Sequence, residues 1–316
     1  MTYNESARKV TDPGFFDRFP TEAISMNPEA QVPRIGLALG SGGAGGLAHI
    51  LMLEAFDELG IRPHHIAGTS IGAIIGALYA AGVPGSRIRT IAADLVIRDG
   101  DTWREIFSKR EQVFSWARLV RPRFSGGGLV SAEDFLASLY ARIEQQCFEE
   151  LQIPLSVVAT DLWAREAVVY DKGPFRPAVE ASAAVPGLIT PVALDDRVLI
   201  DGGAVNPVPW DVLSGDCDVT VAVDVTGSRT RTDDLSPLEA VFNTFIIMQG
   251  SIAGAKRVHA GPDIYVDARI LDIRALEFHR IEEVFVQAEP ARDELKRQLS
   301  DLPGVTPDGG PNRGDL

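Results

Sequence analysis

Ala67-Gly68-Thr69-Ser70-Ile71-Gly72 closes a short apolar run and opens a helical one rich in glycine and alanine. Gly-x-Ser-x-Gly at a strand-to-helix junction is the arrangement of a nucleophile elbow. The serine sits on a tight turn, and glycines stand at 68 and 72 because side chains there would collide with the adjoining strand and helix. Ser70 would also lie at the positive end of the following helix, where developing negative charge is stabilised. Chance supplies the same five residues in glycine-rich turns. Their meaning rests on whether the chain also supplies an oxyanion hole, a base and an acyl pocket.

Immediately upstream, His65 to Thr69 reads as the strand that enters the elbow, and Gly60 closes a helix over residues 47–59. Glu54, Asp57 and Glu58 give that helix one charged stripe, and the rest of its circumference is apolar and expected to be buried. Before it, the apolar run 34–39 passes straight into Gly40-Ser41-Gly42-Gly43-Ala44-Gly45-Gly46. Strand, helix, strand, helix in close succession predicts a βαβ unit and a parallel sheet. The fold class expected is α/β.

Downstream, residues 84–146 read as mostly helical, broken at Pro122 and at 125–128. Strands are expected over 154–160, 166–170, 217–225 and 263–266, and a hairpin over 191–200 turning at Asp195-Asp196. Helices are expected over 175–185, 237–259 and 275–299. Residues 1–33, with prolines at 13, 20, 28 and 33, form an N-terminal arm; 34–300 form one continuous domain; 301–316 form a frayed tail.

The glycine loop has two readings. Gly40-x-Gly42-x-x-Gly45 matches the dinucleotide fingerprint, but that reading needs an acidic side chain closing the second strand to hold a ribose. Here the second strand ends in Gly68-Thr69-Ser70, which argues against a nucleotide-dependent oxidoreductase. The loop is equally a set of bare backbone N–H groups at a helix N-terminus, able to bind an oxyanion. Adjacent parallel strands would bring it to the same sheet edge as Ser70. Losing one oxyanion donor typically costs about 3–4 kcal/mol of transition-state stabilisation.

A serine nucleophile needs a proton acceptor. The histidines are His49, His64, His65, His259 and His279. His64 and His65 begin a strand, at the end away from the active edge, and His49 reads as a core histidine. An α/β-hydrolase order would use Asp201 with His259 or His279, yet that fold places several strands ahead of its elbow strand, and this chain has one. Asp201, in Val198-Leu199-Ile200-Asp201-Gly202-Gly203, ends an apolar strand and is followed by two glycines that permit close approach to another loop. A plain Asp-Gly-Gly turn is the bland alternative. With the elbow and the glycine loop, a Ser70–Asp201 dyad is the better reading.

Bulk properties narrow the field. The chain has 316 residues, 45% of them hydrophobic and 23% charged, which suits a globular protein with a real core. A net charge of −14 argues against nucleic acid as a partner. Cys147 and Cys217 make neither a disulfide framework nor a metal cluster, so no metal and no cofactor are expected, and a cytoplasmic setting fits best. No secretory signal is evident at Met1-Thr2-Tyr3-Asn4-Glu5, and the small-apolar run 71–83 is too short to span a membrane. Residues 103–124 reverse the overall charge. Arg104, Lys109, Arg110, Arg118, Arg121 and Arg123 stand against Glu105 and Glu111, a local +4, interleaved with Trp103, Phe107, Phe114, Trp116 and Phe124. Such a segment serves either as a lipid-contacting lid, giving peripheral membrane contact, or as an ordinary cap with a solvated charged face.

Taken together, Leu37 to Ile50, Gly68 to Gly72, Val158 to Leu162, Ala181 to Gly187 with Pro191-Val192, and Asp201 to Pro207 resemble the bacterial patatin-like phospholipase family, related to the catalytic domain of neuropathy target esterase. The pieces occur in the family's order. The resemblance implies a three-layer α/β/α fold with a mainly parallel central sheet and a helical lid region. It implies calcium-independent hydrolysis of lipid acyl esters, of the phospholipase A, lysophospholipase or carboxylesterase type. By position Ser70 is the nucleophile, Asp201 the base, and Gly42 and Gly43 the oxyanion hole, with Gly40, Gly45, Gly68, Gly72, Gly202 and Gly203 in supporting motifs. Many relatives carry Arg or Lys where this chain has Gly45. That departure opens a second reading, a catalytically weak lipid-binding or regulatory protein.

Overall fold

The computed structural model describes residues 33–94, 140, 143–213, 215, 217–231 and 237–305. The arm expected over 1–33 (all but residue 33), the segment 103–124 and the last residues of the tail, 306–316, lie outside the described residues.

Five strands run parallel: β1 (Ile35–Leu39), β2 (His65–Thr69), β3 (Leu155–Asp161), β7 (Val219–Asp224) and β8 (Ile264–Asp267). They lie in the order β3-β2-β1-β7-β8. Three shorter strands complete the sheet at the β3 side. β4 (Glu166–Tyr170) and β6 (Arg197–Asp201) pair antiparallel with β3, and β5 (Val192–Leu194) pairs antiparallel with β6. Asp195 and Asp196 both adopt positive φ, 49° and 59°, as a two-residue hairpin of matching twist requires.

β1 is buried at every position because helices cover both faces, and its sequence is accordingly an unbroken small-to-apolar run. Alternate residues divide between the layers. Leu37, Leu39, Ile66, Val221 and Val223 meet α1 (Ala48–Glu58), α2 (Ile71–Ala80) and α5 (Ile281–Ser300). Ala38, Ala67 and Ala222 point the other way, and their small size admits Trp210, Leu213 and Ala253 of α4 (Pro237–His259). A short helix α3 (Phe175–Ser182) packs on β3, β5 and β6. The architecture is the expected α/β one with a mainly parallel sheet. Among the described residues no helix is long and apolar enough to cross a membrane.

Some boundaries differ from expectation for local reasons. The glycine loop enters α1 through a 3-10 turn, Gly43–Leu47. Residues 143–146, in a stretch expected to be helical, form no regular element and lead to a bridge between Cys147 and Pro174. α5 starts at Ile281 rather than 275, because the Glu277 carboxylate turns back to accept from Arg274 N at 2.9 Å and Arg280 Nη1 at 2.8 Å.

Candidate active site

β3 has two neighbours on one edge and one on the other. Val158 pairs with Thr69 of β2 and Val169 of β4, while Ala159 pairs with Asp201 of β6 and Val168 of β4. β4 therefore occupies one edge, and β2 and β6 share the opposite edge, approaching from opposite directions. Their carboxyl ends meet. Thr69 ends β2 and Asp201 ends β6 one β3 position apart, so Ser70 and Asp201 are brought together across 131 residues of chain.

The meeting leaves no room at Gly202. A Cβ there would run into the Val158 carbonyl and lie 3.0 Å from Thr69 Cγ2. The glycine lets β6 run up to the end of β2 and turn aside. The Asp201 backbone is fixed meanwhile, its N–H donating to Ala184 O at 3.0 Å and its carbonyl accepting from Thr160 Oγ1 at 3.0 Å.

Ser70 has φ 56° and ψ −122°, a conformation that costs an L-residue of order 1–3 kcal/mol and persists only where the surroundings enforce it. Two contacts enforce it. Its carbonyl accepts from Ala73 N and Ile74 N, starting α2, and its N–H donates to Ser182 Oγ at 2.8 Å. Ser182 Oγ donates in turn to Val158 O at 2.6 Å, tying elbow, α3 and β3 together. Gly68 and Gly72 flank the turn. A Cβ on the first would press on the Ala73 backbone, and on the second would strike the Leu39 carbonyl, so α2 lies hard against the end of β1.

Ser70 Oγ donates to Asp201 Oδ2 at 2.5 Å. Asp201 Oδ1 accepts from Gly203 N at 2.7 Å. The carboxyl is 1% exposed and the serine 7%. Burial pushes the Asp201 pKa up to about 6, against the opposing hydrogen bonds from Ser70 and Gly203. None of the five histidines hydrogen-bonds to either residue. His49 is fully buried with Nε2 donating to Gly40 O at 2.8 Å, and burial lowers its pKa to about 4, the Gly40 bond and Asp224 opposing. It is a neutral core histidine beneath the glycine loop.

In that loop the N–H groups of Gly40, Ser41 and Ala44 are taken by Val223 O, Pro207 O and Ala275 O. Among the described residues, those of Gly42 and Gly43 have no acceptor. Gly43 has φ 56°, and a Cβ on it would press on the Ala275 backbone. A Cβ on Gly40 would lie 2.9 Å from Val223 O, and one on Gly45 the same distance from Val225 O. At Gly45 the Ile270 side chain stands at ordinary contact distance beside that carbonyl, so a longer side chain there requires Val225 O to give way. Among the described residues no group of three or more His, Cys, Asp or Glu is placed to hold a metal ion.

Ser182, Ser41, Gln249 and Lys256 also belong to the neighbourhood and were assigned no role from the sequence. Ser182 lies inside a recognised stretch, so its signal was present; Gln249 and Lys256 lie on a helix whose placement no local pattern reveals. Lys256 Nζ donates to Asn206 Oδ1 at 2.6 Å and Val208 O at 2.7 Å, and lies 4.0 Å from the centre of the Trp210 ring. Thr69 Oγ1 donates to Asn206 O at 2.9 Å, linking that cluster back to the elbow strand.

The profile of the family described as patatin-like phospholipase matches residues 37–214. An uncharacterized NTE family protein of Mycobacterium tuberculosis is 38% identical over 198 residues, covering 62% of this chain and 50% of the relative. Patatin-like phospholipase domain-containing protein 6 of Homo sapiens is 33% identical over 202 residues, covering 63% of this chain and 14% of that protein. The chain thus matches about half the length of the bacterial relative and a small part of the human one. The crystal structure of the type III effector protein ExoU aligns with a TM-score of 0.42 at 16% identity, over 86% of this chain and 54% of that one, a likeness too loose to bear on the site. From the profile match over more than half its length, this chain belongs to the patatin-like phospholipase family.

Proposed function

We propose that the protein is a serine hydrolase of lipid acyl esters working through a Ser70–Asp201 dyad. The observation that carries this reading is the 2.5 Å hydrogen bond from Ser70 Oγ, held on a strained elbow, to a buried carboxylate. A base with a pKa of about 6 is ionised at neutral pH yet more basic than an ordinary carboxylate, as general base catalysis favours.

In acylation, Asp201 takes the Ser70 proton as Oγ bonds to the acyl carbon. The bond to the leaving alcohol then breaks, and that alcohol takes the proton from Asp201. Water attacks the acyl-enzyme, Asp201 accepts its proton, the bond to Ser70 Oγ breaks, and the proton passes to Oγ. The uncommitted N–H groups of Gly42 and Gly43 are the oxyanion donors in this reading. Family membership supports lipid acyl esters as the substrate class.

Fluorophosphonate labelling and short-chain ester turnover test the proposal, wild type against Ser70→Ala. Both should be lost in the variant, with turnover down by at least about a thousandfold. Activity that survives Ser70→Ala displaces the nucleophile. A wild type that binds lipid vesicles but neither labels nor turns over would put the lipid-binding reading in place of the enzyme, the reading that Gly45 opens.

A further inference from the structure

At Gly203 polar side chains from three elements converge. A Cβ there would strike the Gln249 amide and lie 2.8 Å from Ser41 Oγ and 2.9 Å from Asp201 Oδ1. Ser41 belongs to the glycine loop, Gln249 to α4 and Asp201 to the end of β6. Ser41 is 1% exposed and Gln249 2%. Neither the Ser41 hydroxyl nor Gln249 Oε1 has a hydrogen-bond partner among the described residues. Unpaired buried polar groups are rare because they have lost water and gained nothing, so two of them beside a base call for an explanation. An apolar alternative is at hand one turn along: Ala253, on the same face of α4, packs among Ala38, Val208, Trp210 and Leu213.

α4 delivers Gln249 from a fixed position. Lys256 bonds to Asn206 and Val208, and Trp210 Nε1 donates to Ala260 O at 2.8 Å just beyond the helix end. The side chain therefore reaches Gly203 from a helix pinned to the segment that follows Asp201.

Resting on the dyad reading above, we propose that Gln249 is a positioning residue for Asp201, holding a hydrogen bond in reserve for the acyl-enzyme, with the Ser41 hydroxyl as its companion. In the free protein the carboxylate has two donors among the described residues, Ser70 Oγ and Gly203 N. Once Ser70 is acylated its hydroxyl proton is gone, and the buried carboxylate keeps one. A swing of the Gln249 amide that donates through Nε2, or a turn of the Ser41 hydroxyl, adds a donor on the Oδ1 side in place of the one lost at Oδ2. That keeps Asp201 ionised and aimed while it takes a proton from the deacylating water. Catalytic hydrogen bonds commonly close only in such complexes. Of the titratable groups described above, Lys256 is paired with Asp211, and His49 is neutral with Nε2 donating to Gly40 O.

Gln249→Leu tests this by pre-steady-state turnover of an activated ester, fluorophosphonate labelling, thermal unfolding and a pH–rate profile. The variant should fold with undiminished Tm, since a buried unpaired amide oxygen has been removed. Ser70 labelling should be little changed, while deacylation slows about tenfold, ~1.4 kcal/mol, so that acyl-enzyme accumulates as a burst. The acid limb of deacylation should move to higher pH, and further in Gln249→Glu, which adds a second carboxylate. Ser41→Ala, on a different element, should slow deacylation in the same sense and keeps the test open if Gln249→Leu does not fold. Deacylation and an acid limb like the wild type's in Gln249→Leu overturn the proposal, as does an equal loss in labelling and deacylation that tracks the loss of folded protein. If the wild type itself neither labels nor turns over, the hydrolase reading fails first, and this one with it.

Discussion

Asp201 concentrates the energetics of the site in one residue. Its carboxyl is buried, and among the described residues its donors are Ser70 and Gly203, so burial dominates and the pKa rises to about 6. A raised folded pKa means that stability is fully present below the unfolded value of 3.8 and is lost as pH rises through about 6. Asp201→Asn has no such loss. It should therefore be more stable than wild type above about pH 6, by up to ~3 kcal/mol, with the advantage vanishing below about pH 4. Thermal unfolding at several pH values measures this, and an advantage that is flat with pH would count against a buried ionised carboxylate. The same titration should set the acid limb of wild-type turnover, with half-maximal rate near the pKa of about 6 and negligible turnover in the Asn variant.

At the scale of elements, the site exists because β2 and β6 share one edge of β3 and stop against each other. Gly202 is the point of contact. Gly202→Ala forces Val158 O and Thr69 apart, so it should cost about 1–3 kcal/mol of stability and more than about a hundredfold in turnover, since a shift of roughly 1 Å is enough for the latter. A variant that keeps wild-type labelling of Ser70 would show that the strand ends have slack. The glycine loop makes the opposite kind of statement. Because a Cβ at Gly45 would lie 2.9 Å from Val225 O, Gly45→Arg should displace that carbonyl, lowering Tm without raising turnover. A gain in activity with Tm unchanged would show that the loop can open for the cation. Both strand ends and loop were visible as apolar runs ending in glycines. Their apposition was not, since pairing on a shared edge leaves no periodic trace in either strand.

Across the whole molecule the charge is −14, which opposes anionic lipid everywhere except where basic residues cluster. The one such cluster singled out in the sequence, 103–124, lies outside the described residues, and its contact with lipid is a proposal resting on composition. Neutralising Arg118, Arg121 and Arg123 together should weaken co-sedimentation with anionic vesicles by roughly tenfold or more at low salt, and less at high salt as screening shortens. Unchanged sedimentation would assign that segment to an ordinary cap.

By itself the sequence determined the local grammar of this protein. Apolar runs of strand length, the glycines that end them and the helices between them dictated a parallel α/β sheet. The elbow at Ser70, the loop at 40–46 and the aspartate at 201 were legible because each carries its signal in five to seven adjacent residues. The 2.5 Å contact between Ser70 and Asp201 required the register of three strands at once. The Ser182 hydroxyl that holds the elbow and the arrival of Gln249 beside Gly203 depend likewise on the packing of distant elements. The physical reason is common to all three. Local conformation is set by short-range sterics and hydrogen bonding, whereas partners far apart in the chain are chosen by how strands share edges and how helices settle on the sheet, and only the packed whole fixes that.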